Sequence, residues 1–206
     1  MTKQKNQEER IREIIFAAVQ ALEERGLSGF SMDAVISHTA LSKGSVYRFF
    51  KNKHELMIGV FKHIADAFQP TSIEEALAWQ LPLKDTLLRL LFPAFHEPQG
   101  LILRRVHMQL IPELPNHTPL LEEMRKTFDQ ILIEYHNIAL AIIERDKLKI
   151  RPGFESTLEM AIRIGQSLFD GLIMNSLGGI GMQSEEVENR MSAFIDLIIQ
   201  AIIEHK

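Results

Sequence analysis

The residues best suited to chemistry lie between positions 42 and 53, and the chemistry they offer is hydrogen-bond donation and positive charge. Ser42, Lys43, Gly44, Ser45, Tyr47 and Arg48 occupy one short stretch, and Lys51 and Lys53 follow at once. Between residues 40 and 62 stand five basic residues and one acid. Serine hydroxyls and the free amides of a helix start donate to phosphate oxygens. Gly44 lets a backbone come close to a groove wall. Lys43 and Arg48 can reach guanine acceptors in a major groove, or phosphates at a different docking angle. Tyr47 can donate to a phosphate while its ring packs on the sugar edge. A solvated helix face with ordinary caps is the competing reading.

These side chains need short helices to hold them. Ser31 precedes Met32, Val35 and Ile36 and reads as an N-cap. Thr39-Ala40-Leu41 interrupts the apolar spacing. Ser42 reads as the N-cap of a second helix, with Val46, Phe49 and Phe50 available to a core. Asn52 caps a third, and Glu55 three residues later makes a capping-box arrangement. Two short helices joined by a tight turn form a helix-turn-helix. Ahead of them, Ile11, Ile14, Ile15, Ala18 and Leu22 mark the buried stripe of a longer helix that Gly26 stops.

The string SKGSVYRFFKNKHEL, with the first helix ending in Glu24-Arg25-Gly26, resembles the TetR family of transcriptional regulators over residues 8–61. The resemblance implies an all-α chain, with a helix-turn-helix DNA-binding domain over 1–52 and a helical ligand-binding and dimerisation domain over 53–206. It implies contacts to the DNA backbone from Ser31, Ser42, Tyr47 and Lys53. Groove-facing roles fall to Lys43, Gly44, Ser45 and Arg48, and Phe50 belongs to the core. The implied partners are a double-stranded operator, a small-molecule effector and a second copy of the chain. The implied action is repression relieved by the effector. Three positions depart from the family pattern. Ala40 stands where the turn usually has glycine, Phe49 where a phosphate-contacting His or Tyr is common, and Ile36 where a smaller residue is usual.

Beyond residue 68 the spacing is helical throughout, and about nine helices are expected in all. The long segments are about 83–96, 99–111, 118–147, 154–177 and 184–204. The last two carry more apolar surface than one contact face needs, so a homodimer seam is expected there. Gly165 and Gly171 suit close helix approach. Trp79, Phe92, Phe95, His96, Arg104, His107, Met108 and Tyr135 mix large apolar groups with a few polar ones, the composition of a lipophilic pocket. Ordinary core packing is the alternative for each of them.

Several classes are excluded. There is no cysteine, so disulfides, thiolate zinc sites and Cys nucleophiles are out. The histidines lack a metal-binding spacing, and neither metal nor cofactor is expected. Gly178-Gly179-Ile180-Gly181 follows a helix rather than a strand, so it reads as a turn and not a dinucleotide loop. No nucleophile elbow or carboxylate pair points to an enzyme. The start of the chain has no apolar leader and no run reaches the ~18 residues of a membrane span, so a cytoplasmic protein is expected. Net charge is −4, yet residues 1–62 hold ten Lys/Arg against seven Asp/Glu, and the remainder thirteen against twenty. A polyanion-binding head on an acidic body fits that asymmetry. An all-α ligand carrier or enzyme without specific DNA binding, and a dimeric adaptor, are the other readings; a gel shift separates them.

Overall fold

The computed structural model describes residues 2–67, 71–92, 98–116, 118–177 and 183–204. Among these are ten α-helices, one 3-10 helix and no strand beyond a single antiparallel bridge between Ile150 and Ile203. The helices are α1 (Thr2–Gly29), α2 (Met32–Ser37), α3 (Lys43–Phe49), α4 (Lys53–Ala67), α5 (Ile73–Ala78), α6 (Leu83–Leu91), α7 (Pro98–Leu110), α8 (Thr118–Arg145), α9 (Glu155–Leu177) and α10 (Ser184–Ile202). The 3-10 helix, Ile111–Asn116, carries the chain on from residue 111, where the helical segment expected over about 99–111 ends. The turn expected at residues 178–181 lies outside the described residues.

Packing divides the chain into two units, residues 1–68 with 94–125, and residues 69–93 with 126–206. In the first unit the apolar stripe of α1 is buried: Ile14, Ile15, Ala18 and Leu22. Leu56, Met57, Val60 and Ile64 of α4 and Leu103, Val106 and Leu110 of α7 complete the same core. The packing boundary therefore falls well beyond residue 52. The three helices of the head leave the back of α1 uncovered, and α4 and α7 cover it. Gly26 adopts φ 64°, a value that strains any residue with a Cβ, and there α1 kinks.

His107 is buried in this unit, its ring centroid 6.2 Å from that of Phe61. Burial pushes its pKa down to about 4, and the neighbouring Arg104 charge pushes the same way. The unfolded imidazole binds its proton near pH 6.5 and the folded one does not. The stability contribution is therefore complete above pH 6.5 and is lost as pH falls towards 4, by about 3 kcal/mol. Melting curves of the wild type and of His107→Leu between pH 7.5 and 4.5 check this. The wild type should lose stability steeply below pH 6.5, and the variant should lose distinctly less.

In the second unit α10 packs on α9 and α6. Phe92 meets Phe169 edge-on, ring centroids 5.0 Å apart. A Cβ at Gly165 would come within 3.1 Å of the Phe194 ring, so this glycine does serve close approach between α9 and α10. A Cβ at Gly171 would meet nothing within 4 Å in the protomer. The chain after α10 is tied to the turn after α8. Arg151 N donates to Ile202 O at 2.8 Å and Glu204 N to Lys149 O at 2.9 Å. No helix of the described residues is long and apolar enough to cross a membrane.

Candidate nucleic-acid interface

The helix-turn-helix is built from local caps and one long-range anchor. Ala34 N donates to Ser31 Oγ at 3.1 Å, and Ser45 N donates to Ser42 Oγ at 3.3 Å. Both serines stand in extended backbone, as N-caps do. Glu55 N donates to Asn52 Oδ1 at 2.9 Å, while the Glu55 carboxylate accepts from Lys51 N, one residue earlier than a capping box requires. The turn between α2 and α3 is held from α1. Glu13 Oε1 accepts both the Thr39 hydroxyl, at 2.6 Å, and the Ala40 amide, at 3.2 Å. Among the described residues Ala40 takes no positive φ, so the turn works without the usual glycine.

α3 turns one face inward and the other out. Val46 is buried, as is Phe50 just past the helix end. Lys43, Gly44, Tyr47 and Arg48 are exposed, as are Ser31, Ser42 and Lys53, and Ser45 is half-buried. Lys43 Nζ donates to Asp33 Oδ1 at 2.9 Å. That hydrogen bond, and then the Asp33 charge, hold the ammonium above the ordinary lysine range. Both partners are well exposed, so the pair is screened and opens at little cost. Lys53 Nζ lies 5.5 Å from the Phe30 ring centroid and within 3.5 Å of Leu27 O. Gly44 sits in the middle of this face. Its φ is negative and a Cβ there would touch nothing within 4 Å, so nothing in the fold requires glycine. All eight residues expected at the interface thus belong to the first unit and cluster at α2, α3 and the start of α4. Glu13 and Asp33 carried no local sequence signal, since their partners lie 26 and 10 residues away.

The residues expected to line a pocket are more scattered. Phe95 and His96 lie outside the described residues. Arg104 and His107 are buried in the first unit and Met108 is half-buried there. Trp79 is half-buried in the second, its ring 4.1 Å from the Arg89 guanidinium, and Phe92 is buried against Phe169. Among the described ones only Tyr135 borders an apolar cleft that encloses about 650 Å³ of empty space, part of it open to solvent. The cleft lies between α6, α8, α9 and α10, with Leu87, Leu91, Ile162, Phe194 and Ile198 among its walls. Its polar groups are the Tyr135 hydroxyl, which donates to Leu90 O at 3.2 Å, and Gln166, which donates to Asp170. No charged side chain of the described residues lines it.

Residues 14–60 match the model of the bacterial regulatory proteins of the tetR family. The HTH-type transcriptional regulator YhgD of Bacillus subtilis (strain 168) is 32% identical over 79 residues, which are 38% of this chain and 41% of that protein. Among solved structures, a TetR transcription regulator from Haloarcula marismortui superposes with a TM-score of 0.74 at 14% identity, covering 96% of this chain and 100% of that one. SmeT, the repressor of the Stenotrophomonas maltophilia multidrug efflux pump SmeDEF, superposes with a TM-score of 0.66 at 17% identity, covering 94% and 90%. SmeT is also known in complex with triclosan. At such identities the likeness speaks for the fold, and the matched segment of the head carries the assignment. The motif from Ser42 to Leu56 and the helices that hold it carry the match to the tetR family of bacterial regulatory proteins over residues 14–60, and the helical unit that follows shares the fold of the solved structures.

Proposed function

We propose that the protein is a ligand-responsive, DNA-binding transcriptional regulator that binds its operator as a homodimer and leaves it when a small lipophilic effector binds. The observation that carries this reading is the outer face of α3. It presents Lys43, Gly44, Tyr47 and Arg48 to solvent around a glycine the fold does not need. In this reading Lys43, Gly44 and Ser45 enter the major groove. Ser31, Ser42, Tyr47 and Lys53 hold the duplex backbone. Repression is the direction that SmeT, a repressor, suggests.

The effector site is the cleft between α6, α8, α9 and α10. Its walls are aliphatic and its few polar groups uncharged, which suits a neutral lipophilic molecule. A 100-fold loss of operator affinity needs only about 2.7 kcal/mol of differential binding between the two conformers. The homodimer seam is the outer side of α9 and α10. Met160, Ile164, Leu168 and Met174 form one apolar stripe on α9, and Leu197 of α10 is 65% exposed. Gly171, open in the protomer, lies on that same stripe.

Selection from a randomised duplex library tests the DNA role directly. A recovered palindrome with half-sites about one helical turn apart is the expected result. No enrichment over random sequence would leave the carrier or adaptor readings. Gly44→Ala sharpens the test because its two effects oppose. Replacing glycine inside a helix should stabilise the free protein by up to about 1 kcal/mol. The added methyl should weaken binding to the selected duplex by about tenfold or more, because it stands where the groove wall comes closest. A melting curve and a titration read both, and unchanged affinity would remove Gly44 from the interface.

A further inference from the structure

A second cationic feature lies beside α3, and its α1 side stands upstream of the segment the family model matches. Asn6, Gln7 and Arg10 of α1, with Arg48 and Phe49 at the end of α3, line a surface cleft enclosing about 530 Å³ of empty space, open to solvent. Arg10 and Arg48 are both exposed. The Arg48 guanidinium lies 5.4 Å from the Phe49 ring centroid, an aromatic platform for its planar group. Glu13 is engaged with Thr39 and Ala40, and among the described residues neither arginine pairs with a carboxylate, Glu8 and Glu9 on α1 included.

We propose that this cleft is a phosphodiester site, which takes a backbone phosphate of the strand bordering the groove that α3 enters. The proposal rests on the DNA-binding reading and extends the interface to α1. Arg48 stands four residues beyond Gly44, about 6 Å along the helix at 1.5 Å per residue. That is half the ~12 Å width of the major groove, so a phosphate on the groove wall comes within reach. Guanidinium forks match phosphate oxygens two at a time, and the side-chain amides of Asn6 and Gln7 can donate to the remaining oxygens. Arg48 then holds the backbone rather than reading a base.

The test is a salt titration of wild type, Arg10→Gln and Arg10→Lys, each on a duplex selected by the wild type and on a random-sequence duplex. One lost phosphate contact lowers the slope of log K against log salt by about one. Arg10→Gln should show that change and lose about five- to tenfold in affinity, by the same factor on both duplexes. Arg10→Lys should keep the wild-type slope. A single methylphosphonate in the selected duplex should reproduce the loss and have no added effect on Arg10→Gln. An unchanged slope for Arg10→Gln, with the wild type still selecting a site, overturns the cleft and leaves the DNA reading standing. A wild type that selects no sequence and shows no salt dependence overturns both. Displacement of the duplex by millimolar inorganic phosphate at fixed ionic strength would put a free anion in the cleft, and also overturns the proposal.

Discussion

Ile164→Asp should convert the protein from dimer to monomer and reduce affinity for the selected duplex by 100-fold or more. Ile164 is 52% exposed in the protomer, with Met160 at 60%, Leu168 at 36% and Met174 at 55% along the same side of α9. A contiguous apolar stripe of this kind is costly to leave in water and marks a contact surface. In a two-fold seam every substitution occurs twice, so the variant would bury two unpaired carboxylates, at several kcal/mol each. A lone protomer holds only one half-site and forfeits about half of the contacts. The substituted side chain is exposed in the protomer, so helical content should survive. Sedimentation equilibrium reads the result against the 23.6 kDa of one chain. A variant that keeps twice that mass would place the seam elsewhere.

Phe50→Ala should destabilise the head by about 3–5 kcal/mol, a large part of the ~5–15 kcal/mol that holds a domain together. Phe50 closes α3 in extended backbone and is 8% exposed. Its ring lies against the α4 backbone: a Cβ at Gly59 would fall 2.8 Å from Phe50 Cε1. Rigid helix backbone cannot collapse into the space a truncated ring leaves, which puts the cost at the upper end of the usual range. Calorimetry should show the transition lowered by about 10–20 °C. A shift under 2 °C would mean that the ring is not what joins α3 to α4. Phe49, only half-buried, is the comparison, and its truncation should cost far less.

The local structure of the candidate interface was legible because its positioning is local. An N-cap needs a hydroxyl or amide and a helix start within three residues, and Ser31, Ser42 and Asn52 all cap where the spacing put them. The alternation of buried Val46 and Phe50 with exposed Lys43, Tyr47 and Arg48 follows from helical periodicity alone. Contacts across long stretches of chain left no such trace. The anchor from Glu13 to Ala40 spans 27 residues, and nothing beside Glu13 in the sequence distinguishes it from other surface glutamates on α1. The pocket was harder for a related reason. Aromatic and Met content identifies side chains large enough to line a cavity. It does not say which helices face one another, and the cleft walls proved mostly Leu and Ile from α6, α9 and α10. The packing boundary beyond residue 52 has the same origin, since α7 reaches the core of the first unit from about thirty residues downstream of the end of α4.

The two hydrogen bonds that Glu13 accepts have a mechanical consequence. One carboxylate oxygen fastens the loop ahead of α3 to the long first helix, so the tilt of one is geared to the other. A head built in this way resists bending between its own parts. Under the proposed function, control of operator occupancy then falls to movements of whole heads, like the jaws of a caliper, and not to reshaping either jaw.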